Sequence, residues 1–323
     1  VVESGGDRLH SPLRRHRLYI LTLPLDFYEL DFQAMGTACS ISIYAESSDA
    51  AREKCEPVVT DVARLEAKYS RYLSDSFLSR INLAAEQGRS IEVDDETALL
   101  LDYAQTCHAE SNGMFDITSG LLRRVWNFQP KGQTAVPDAA SLETLLERVG
   151  WQKLDWHAPK LAFTIPGMEL DFGGIVKEYA ADRAATLLRE QGVAHALVNL
   201  GGDICVTGPQ ADDRPWRIAI SDPSFPAQEL RIVEASQGAL ASSGSYARCI
   251  EIEGIRYGHL LNPRTGFPVK GTLAATVVAD QCIVAGSLAT IALLNEAGAA
   301  RFLKDAGLPF LIISSDGDID DRL

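Results

Sequence analysis

The stretch Glu169-Leu170-Asp171-Phe172-Gly173-Gly174-Ile175-Val176-Lys177-Glu178-Tyr179 reads as a strand that turns through paired glycines into a helix. Glycines at such a turn let the backbone approach a ligand closely, and the free N–H groups of the first helical turn favour an anion such as a pyrophosphate. The same pair also serves tight strand-to-helix packing, so taken alone the turn leaves both a structural and a binding reading open. Beyond it, the helix is expected over residues 174–191, closed by Gly192, and leads into an apolar strand over 195–200. Before it, short strands are expected over 153–156, 161–165 and 168–172.

Further out on the N-terminal side, residues 31–44 take on strand alternation in their second half, and 48–69 form an amphipathic helix. A helix over 94–112 starts at Asp94 or Asp95 and stops at Asn112-Gly113; another follows Pro137-Asp138 and ends at Gly150. On the C-terminal side several strands fall between 204 and 257, then a strand over 273–279, two Ala-rich helices and a last strand over 309–314. Helices and strands mix without a repeat, which predicts an α+β fold of mixed sheets with packed helices. Residues 1–29, with Gly5-Gly6 and Pro12 and no sustained period, are expected to be a poorly structured lead-in to one domain over 30–323.

A chain of 323 residues with 46% hydrophobic and 23% charged residues can bury a sizeable core and has no disordered or collagen-like composition. Its net charge of −14 argues against a nucleic-acid partner, since clustered Lys and Arg supply that affinity. An anionic ligand would therefore need a local basic pocket, a cation or aligned N–H groups. No apolar run reaches the roughly 18 residues that span a bilayer. The six cysteines lie far apart, without Cys-x-x-Cys or His at metal-ligand spacing, and read as buried thiols.

Two more turns could carry chemistry. Asn199-Leu200-Gly201-Gly202-Asp203 ends an apolar strand, and His259-Leu260-Leu261-Asn262-Pro263-Arg264-Thr265-Gly266 forms a sharp exposed loop. On its own His259 could be structural or catalytic.

These segments stand in order with Ala34-Met35-Gly36-Thr37, Ser70-Arg71-Tyr72, Asp75-Ser76-Phe77-Leu78-Ser79-Arg80-Ile81-Asn82, Gly113-Met114-Phe115-Asp116 and Ser242-Ser243-Gly244-Ser245-Tyr246. In that order, from about residue 35 to 290, the chain resembles the ApbE family of FAD:protein FMN transferases. The resemblance implies FAD as substrate, with Met35, Tyr72, Met114, Phe115, Asp116, Asp171, Lys177 and Leu261 lining the nucleotide. The residue types suit such a ligand, since aromatic and thioether groups hold flat rings, carboxylates accept from ribose or adenine, and an ammonium meets phosphate. The resemblance further implies Mg2+ on the pyrophosphate and an acceptor flavoprotein whose Thr or Ser hydroxyl attacks the FMN-side phosphorus, with AMP leaving. His259 is the expected base, with a pKa suited to that work. A periplasmic or inner-membrane location in the cell envelope is implied as well; no clear export signal is seen, so a cytoplasmic one stays open.

The chain departs from the family pattern at one informative place. Family members carry Ala-Asp-x-x-x-Thr in the helix after the last long strand, where Asp and Thr hold the metal. Here the text is Ala285-Gly286-Ser287-Leu288-Ala289-Thr290, and the position after Lys177, ordinarily glycine, is Glu178. The expected metal set is accordingly the Gly174 backbone oxygen, Thr290 and, as a compensating carboxylate, Glu178. Loss of the family Asp leaves two other readings open: an FAD pyrophosphatase giving FMN and AMP, and a catalytically silent FAD-binding protein.

Overall fold

Residues 26–45 alternate between core and surface and carry Met35-Gly36 at their middle, both at positive φ, 52° and 71°. Left-handed conformation at two successive residues matches the twist of antiparallel strands, so the segment folds as a hairpin of β1 (Asp26–Ala34) and β2 (Thr37–Ala45). The computed structural model describes residues 25–128, 133, 135–223, 225, 228–246 and 248–323. The first strand thus starts at Asp26, four residues inside the expected lead-in; residues 1–24 of that lead-in lie outside the described residues.

Next come α1 (Ser48–Tyr69), α2 (Phe77–Glu86), β3 (Ile91–Glu92), α3 (Asp95–Glu110), a 3-10 helix (Ile117–Arg124) and α4 (Ala139–Leu146). The short hairpin β4 (Leu154–His157) and β5 (Lys160–Phe163) precedes α5 (Val176–Glu190), β6 (Ala196–Leu200) and β7 (Asp203–Val206). Then follow β8 (Trp216–Ser221), β9 (Glu229–Ala235), β10 (Gly238–Gly244), β11 (Cys249–Ile252), β12 (Ile255–Gly258) and β13 (Thr272–Ala279). The chain closes with α6 (Cys282–Leu294), α7 (Ala299–Ala306), β14 (Phe310–Ser314) and β15 (Ile319–Asp321). The α+β expectation holds. Residues 168–172 depart from it and belong to no sheet; Leu170 is held instead by the side chain of Asn82, which donates to its oxygen and accepts from its N–H.

The main sheet has eight strands in the order β1-β2-β6-β7-β10-β13-β14-β15, and every neighbouring pair is antiparallel. Helices α1, α5 and α6 cover one face in one continuous core, and the β8–β9 hairpin covers the other around Trp216, Ile218 and Ile220. Strand β7, sandwiched between them, is buried at all four positions, which is why its text Asp-Ile-Cys-Val lacks a polar alternate beyond Asp203. A smaller core joins the 3-10 helix, the end of α4 and the β11–β12 hairpin through Leu121, Leu122, Trp126, Leu145, Ile250 and Leu261. Between this outlying layer, the turn that leads into α5 and helix α6 a cleft opens.

Candidate functional site

Helix α6 is apolar around its whole circumference, with eleven of its thirteen residues buried, so it runs through the core and not over it. Gln281 before it makes no side-chain cap. The first N–H groups are satisfied from α5, where Asp182 accepts from Cys282 at 2.7 Å and from Ile283 at 2.9 Å. The two helices that bear the candidate residues are thereby tied together at one end.

Ahead of α5, Asp171 is the organising group. It accepts from Gly173 N at 2.8 Å and from Arg71 Nη1 at 2.9 Å, and Arg123 Nε lies 3.6 Å away. Burial opposes the charge, but Arg123 and Arg71 outweigh it and hold the carboxyl below the usual carboxylate range. Glycines let the walls close in here. A Cβ on Gly120 would stand 2.6 Å from the Asp171 Cβ, and one on Gly174 would stand 3.2 Å from the Phe115 ring.

A cleft of about 580 Å³, counted to its open mouth, is lined by Met114, Phe115, Asp116, Asp171, Gly174, His259, Leu261 and Thr290. Eight of the twelve residues singled out from sequence thus meet in one place. Asp116 carries structure as well, its carboxylate accepting from Thr118 N at 2.9 Å, Thr118 Oγ1 at 2.6 Å and Trp151 N at 3.0 Å. Little of its accepting capacity is left for ribose or adenine.

The other four lie off the cleft lining. Tyr72 stands 79% exposed, with the Arg71 guanidinium 5.9 Å from its ring, so an aromatic face is presented beside the arginine that grips Asp171. Met35 sits in the β1–β2 turn, partly buried against the core. Lys177 makes an ion pair with Asp203 and donates to the Leu200 oxygen at 3.3 Å. Burial works against its charge, and Asp203 and Glu178 outweigh that and raise its pKa. The lysine is therefore a partly neutralised cation at the Gly201-Gly202 turn.

Glu178 is buried, 6% exposed, with Oε2 lacking any hydrogen-bond partner. Burial first, then the neighbouring Asp203, push its carboxyl up to about 8. It packs against Gly286, where an added Cβ would be 2.4 Å from the Glu178 Cγ. One helical turn along, Thr290 Oγ1 lies 2.7 Å from Ser243 Oγ. Among the described residues no three His, Cys, Asp or Glu side chains form a metal cluster. The unpartnered Glu178 oxygen and the Thr290 hydroxyl are hard oxygen donors, the type of ligand that a cation such as Mg2+ takes.

His259 departs from the expected basicity. Burial, then the charges of Arg123 and Arg248, lower its pKa to about 4, so the ring is neutral at physiological pH, and its buried Nδ1 has no partner. The loop that follows is fixed independently: Asn262 Oδ1 accepts from Arg264 N at 2.9 Å, and Trp126 Nε1 donates to the Gly266 oxygen at 2.7 Å.

Sequence reasoning did not single out Arg123, Ser243 or Asp182 as site residues. The adjacent arginines 123 and 124 in an acidic chain were a legible signal for the first. Ser243 stands inside a quoted motif but was given no role there, and Asp182 acts through partners about 100 residues away that nothing local marks.

The profile of the ApbE family matches residues 35–312. The chain is 31% identical over 306 residues to an FAD:protein FMN transferase of Haemophilus influenzae, covering 89% of this chain and 86% of that one. It is 29% identical over 303 residues to one of Vibrio cholerae, covering 91% and 90%. Its fold superposes on the ApbE protein of Thermotoga maritima with a TM-score of 0.84 at 28% identity, covering 92% and 97% of the two chains. The flavin transferase ApbE from Vibrio cholerae gives a TM-score of 0.82 at 27% identity, covering 93% and 98%.

Proposed function

The chain belongs to the ApbE family, and from that premise we propose that it is a flavin transferase that cleaves FAD and attaches the FMN half to an acceptor flavoprotein. The observation that carries the reading is the convergence of motifs dispersed from residue 114 to residue 290 on one cleft, flanked by Arg123 and Arg71 in an otherwise acidic protein. Arg123 lines that cleft, and its positive charge offers the local attraction for phosphate that a net charge of −14 denies elsewhere.

The acceptor group is a Thr or Ser hydroxyl. Its oxygen bonds to the FMN-side phosphorus, the bridging P–O bond breaks, and AMP leaves with the bridging oxygen. The hydroxyl proton goes to His259, which lines the cleft and whose ring is neutral and so free to accept. Substrate phosphates beside Arg123 offset part of the charge that lowers the His259 pKa, so the ring becomes a better base once substrate is bound. The apolar wall at Phe115 and Leu261 gives the flat ring a surface to lie against, and the exposed Tyr72 gives a second aromatic face at the rim. Mg2+, held through Thr290, Glu178 and the Gly174 backbone oxygen, would supply charge neutralisation on the pyrophosphate.

Mass spectrometry of a candidate acceptor after incubation with FAD and Mg2+ tests the reading. A covalent FMN adduct formed together with AMP supports it. FMN and AMP without an adduct would make the protein a pyrophosphatase, and bound FAD without any AMP would make it a silent binder.

A further inference from the structure

Glu178 and Gly286 share one side-chain space. On α6 a Cβ at position 286 would stand 2.4 Å from Cγ, 3.0 Å from Oε1 and 3.1 Å from Cδ of Glu178, so the carboxylate of α5 occupies the volume a side chain at 286 would fill. Gly286 and Thr290 are four residues apart on one helix and face the same way. The Glu178 carboxylate is thus brought against the α6 face that carries the Thr290 hydroxyl, which lines the cleft and pairs with Ser243.

The electrostatic setting of this carboxylate is unbalanced. Asp203 and Asp182 add negative charge around it, and the nearby cation Lys177 is already paired with Asp203. A buried carboxylate oxygen with no donor is costly unless a proton or a cation attends it. A cation satisfies the oxygen outright.

We propose that Glu178 is a ligand of a divalent cation, reaching from α5 into the space that Gly286 leaves open on α6, so that carboxylate and hydroxyl ligands come from two helices tied together through Asp182. The two positions act as a reciprocal pair: one carries the acid only because the other carries none. The inference rests on the reading that a cation attends the substrate pyrophosphate, and it concerns which atom of this chain holds that cation.

Mn2+ binding to the full chain without FAD, followed by the loss of the free-ion EPR signal, tests it apart from catalysis. The native chain should bind Mn2+, and Glu178→Gln, which keeps shape and volume, should weaken binding about tenfold or more. Glu178→Gly combined with Gly286→Asp should restore most of the affinity, because the acid is returned to the same space from the other helix. Thermal unfolding without metal checks that each variant is folded. Equal Mn2+ affinity in the native chain and Glu178→Gln would overturn the assignment, as would a native chain that binds no Mn2+. Flavin fluorescence keeps the two levels separate: a native chain that binds FAD and flavinylates its acceptor while Mn2+ affinity ignores residue 178 overturns only the ligand assignment, whereas a native chain with no FAD affinity overturns the transferase reading itself.

Discussion

Asp182 caps a helix that is not its own: one oxygen accepts from Cys282 N at 2.7 Å and the other from Ile283 N at 2.9 Å, across the interface between α5 and α6. Burial raises the Asp182 pKa more than these two N–H groups lower it, so the cap is a desolvated one. Replacing Asp182 with Ala should cost about 2–3 kcal/mol, the loss of a cap together with two buried N–H groups left unpaired. Urea unfolding measures this. Because α6 carries Thr290, the same change should also weaken Mn2+ binding, whereas a purely global effect would leave the affinity of the folded fraction unchanged.

Gly120 is fixed by the organiser of the cleft. An added methyl would lie 2.6 Å from the Asp171 Cβ and 3.4 Å from its backbone nitrogen, and neither is the far end of a flexible chain. Gly120→Ala should therefore displace Asp171 from Arg71 and Arg123, with a cost of about 1–3 kcal/mol in stability. FAD affinity, read by flavin fluorescence, should fall further than stability alone explains. Unchanged affinity would mean that the Asp171 cluster does not shape the binding surface.

How much of this was legible beforehand depended on the range of the interaction. The helix over 48–69 was readable because Ala51, Cys55, Val58, Val62 and Leu65 repeat at helical spacing and are all buried. Helix α2 was missed although Ser76 caps it through Ser79 N, since its ten residues lie inside a motif that reads as sequence identity more than as periodicity. Residues 168–172 alternate like a strand yet pair with none, because the partner that satisfies Leu170 is a side chain, Asn82, 88 residues away. The pairing of Glu178 with Gly286 was guessable from the two departures, but which space they share is a fact of tertiary packing. The low basicity of His259 was invisible, since Arg123 and Arg248 lie far from it in the chain or on another loop.

Trp126 is fully buried and donates through Nε1 to the Gly266 oxygen at 2.7 Å, pinning the end of the loop that starts at His259. Trp126→Phe keeps most of the apolar contact but leaves a buried carbonyl unpaired and a small void. The expected cost is about 2 kcal/mol, from the lost hydrogen bond and the cavity together. A denaturation midpoint within error of the native chain would show that the loop is held by Asn262 and its neighbours without the indole.

His259 should make the protein sensitive to mild acid. Its folded pKa is about 4 against the ordinary 6.5, lowered by burial and then by Arg123 and Arg248. Above pH 6.5 the ring is neutral in both the folded and unfolded chain, so it contributes no pH slope. As the pH falls from about 6.5 to about 4 the unfolded chain takes up a proton that the folded chain refuses, and stability is lost across that window. The gap corresponds to at most about 3 kcal/mol, less where solvent reaches the ring. Asp171 and other depressed carboxylates add slope of the same sign at lower pH, so the measurement is a difference between the native chain and His259→Gln, by urea unfolding at pH 7 and pH 4.5. The variant should lose less stability between the two. Equal losses would mean that the ring takes up its proton as readily in the fold as out of it, and that the two arginines do not set its basicity.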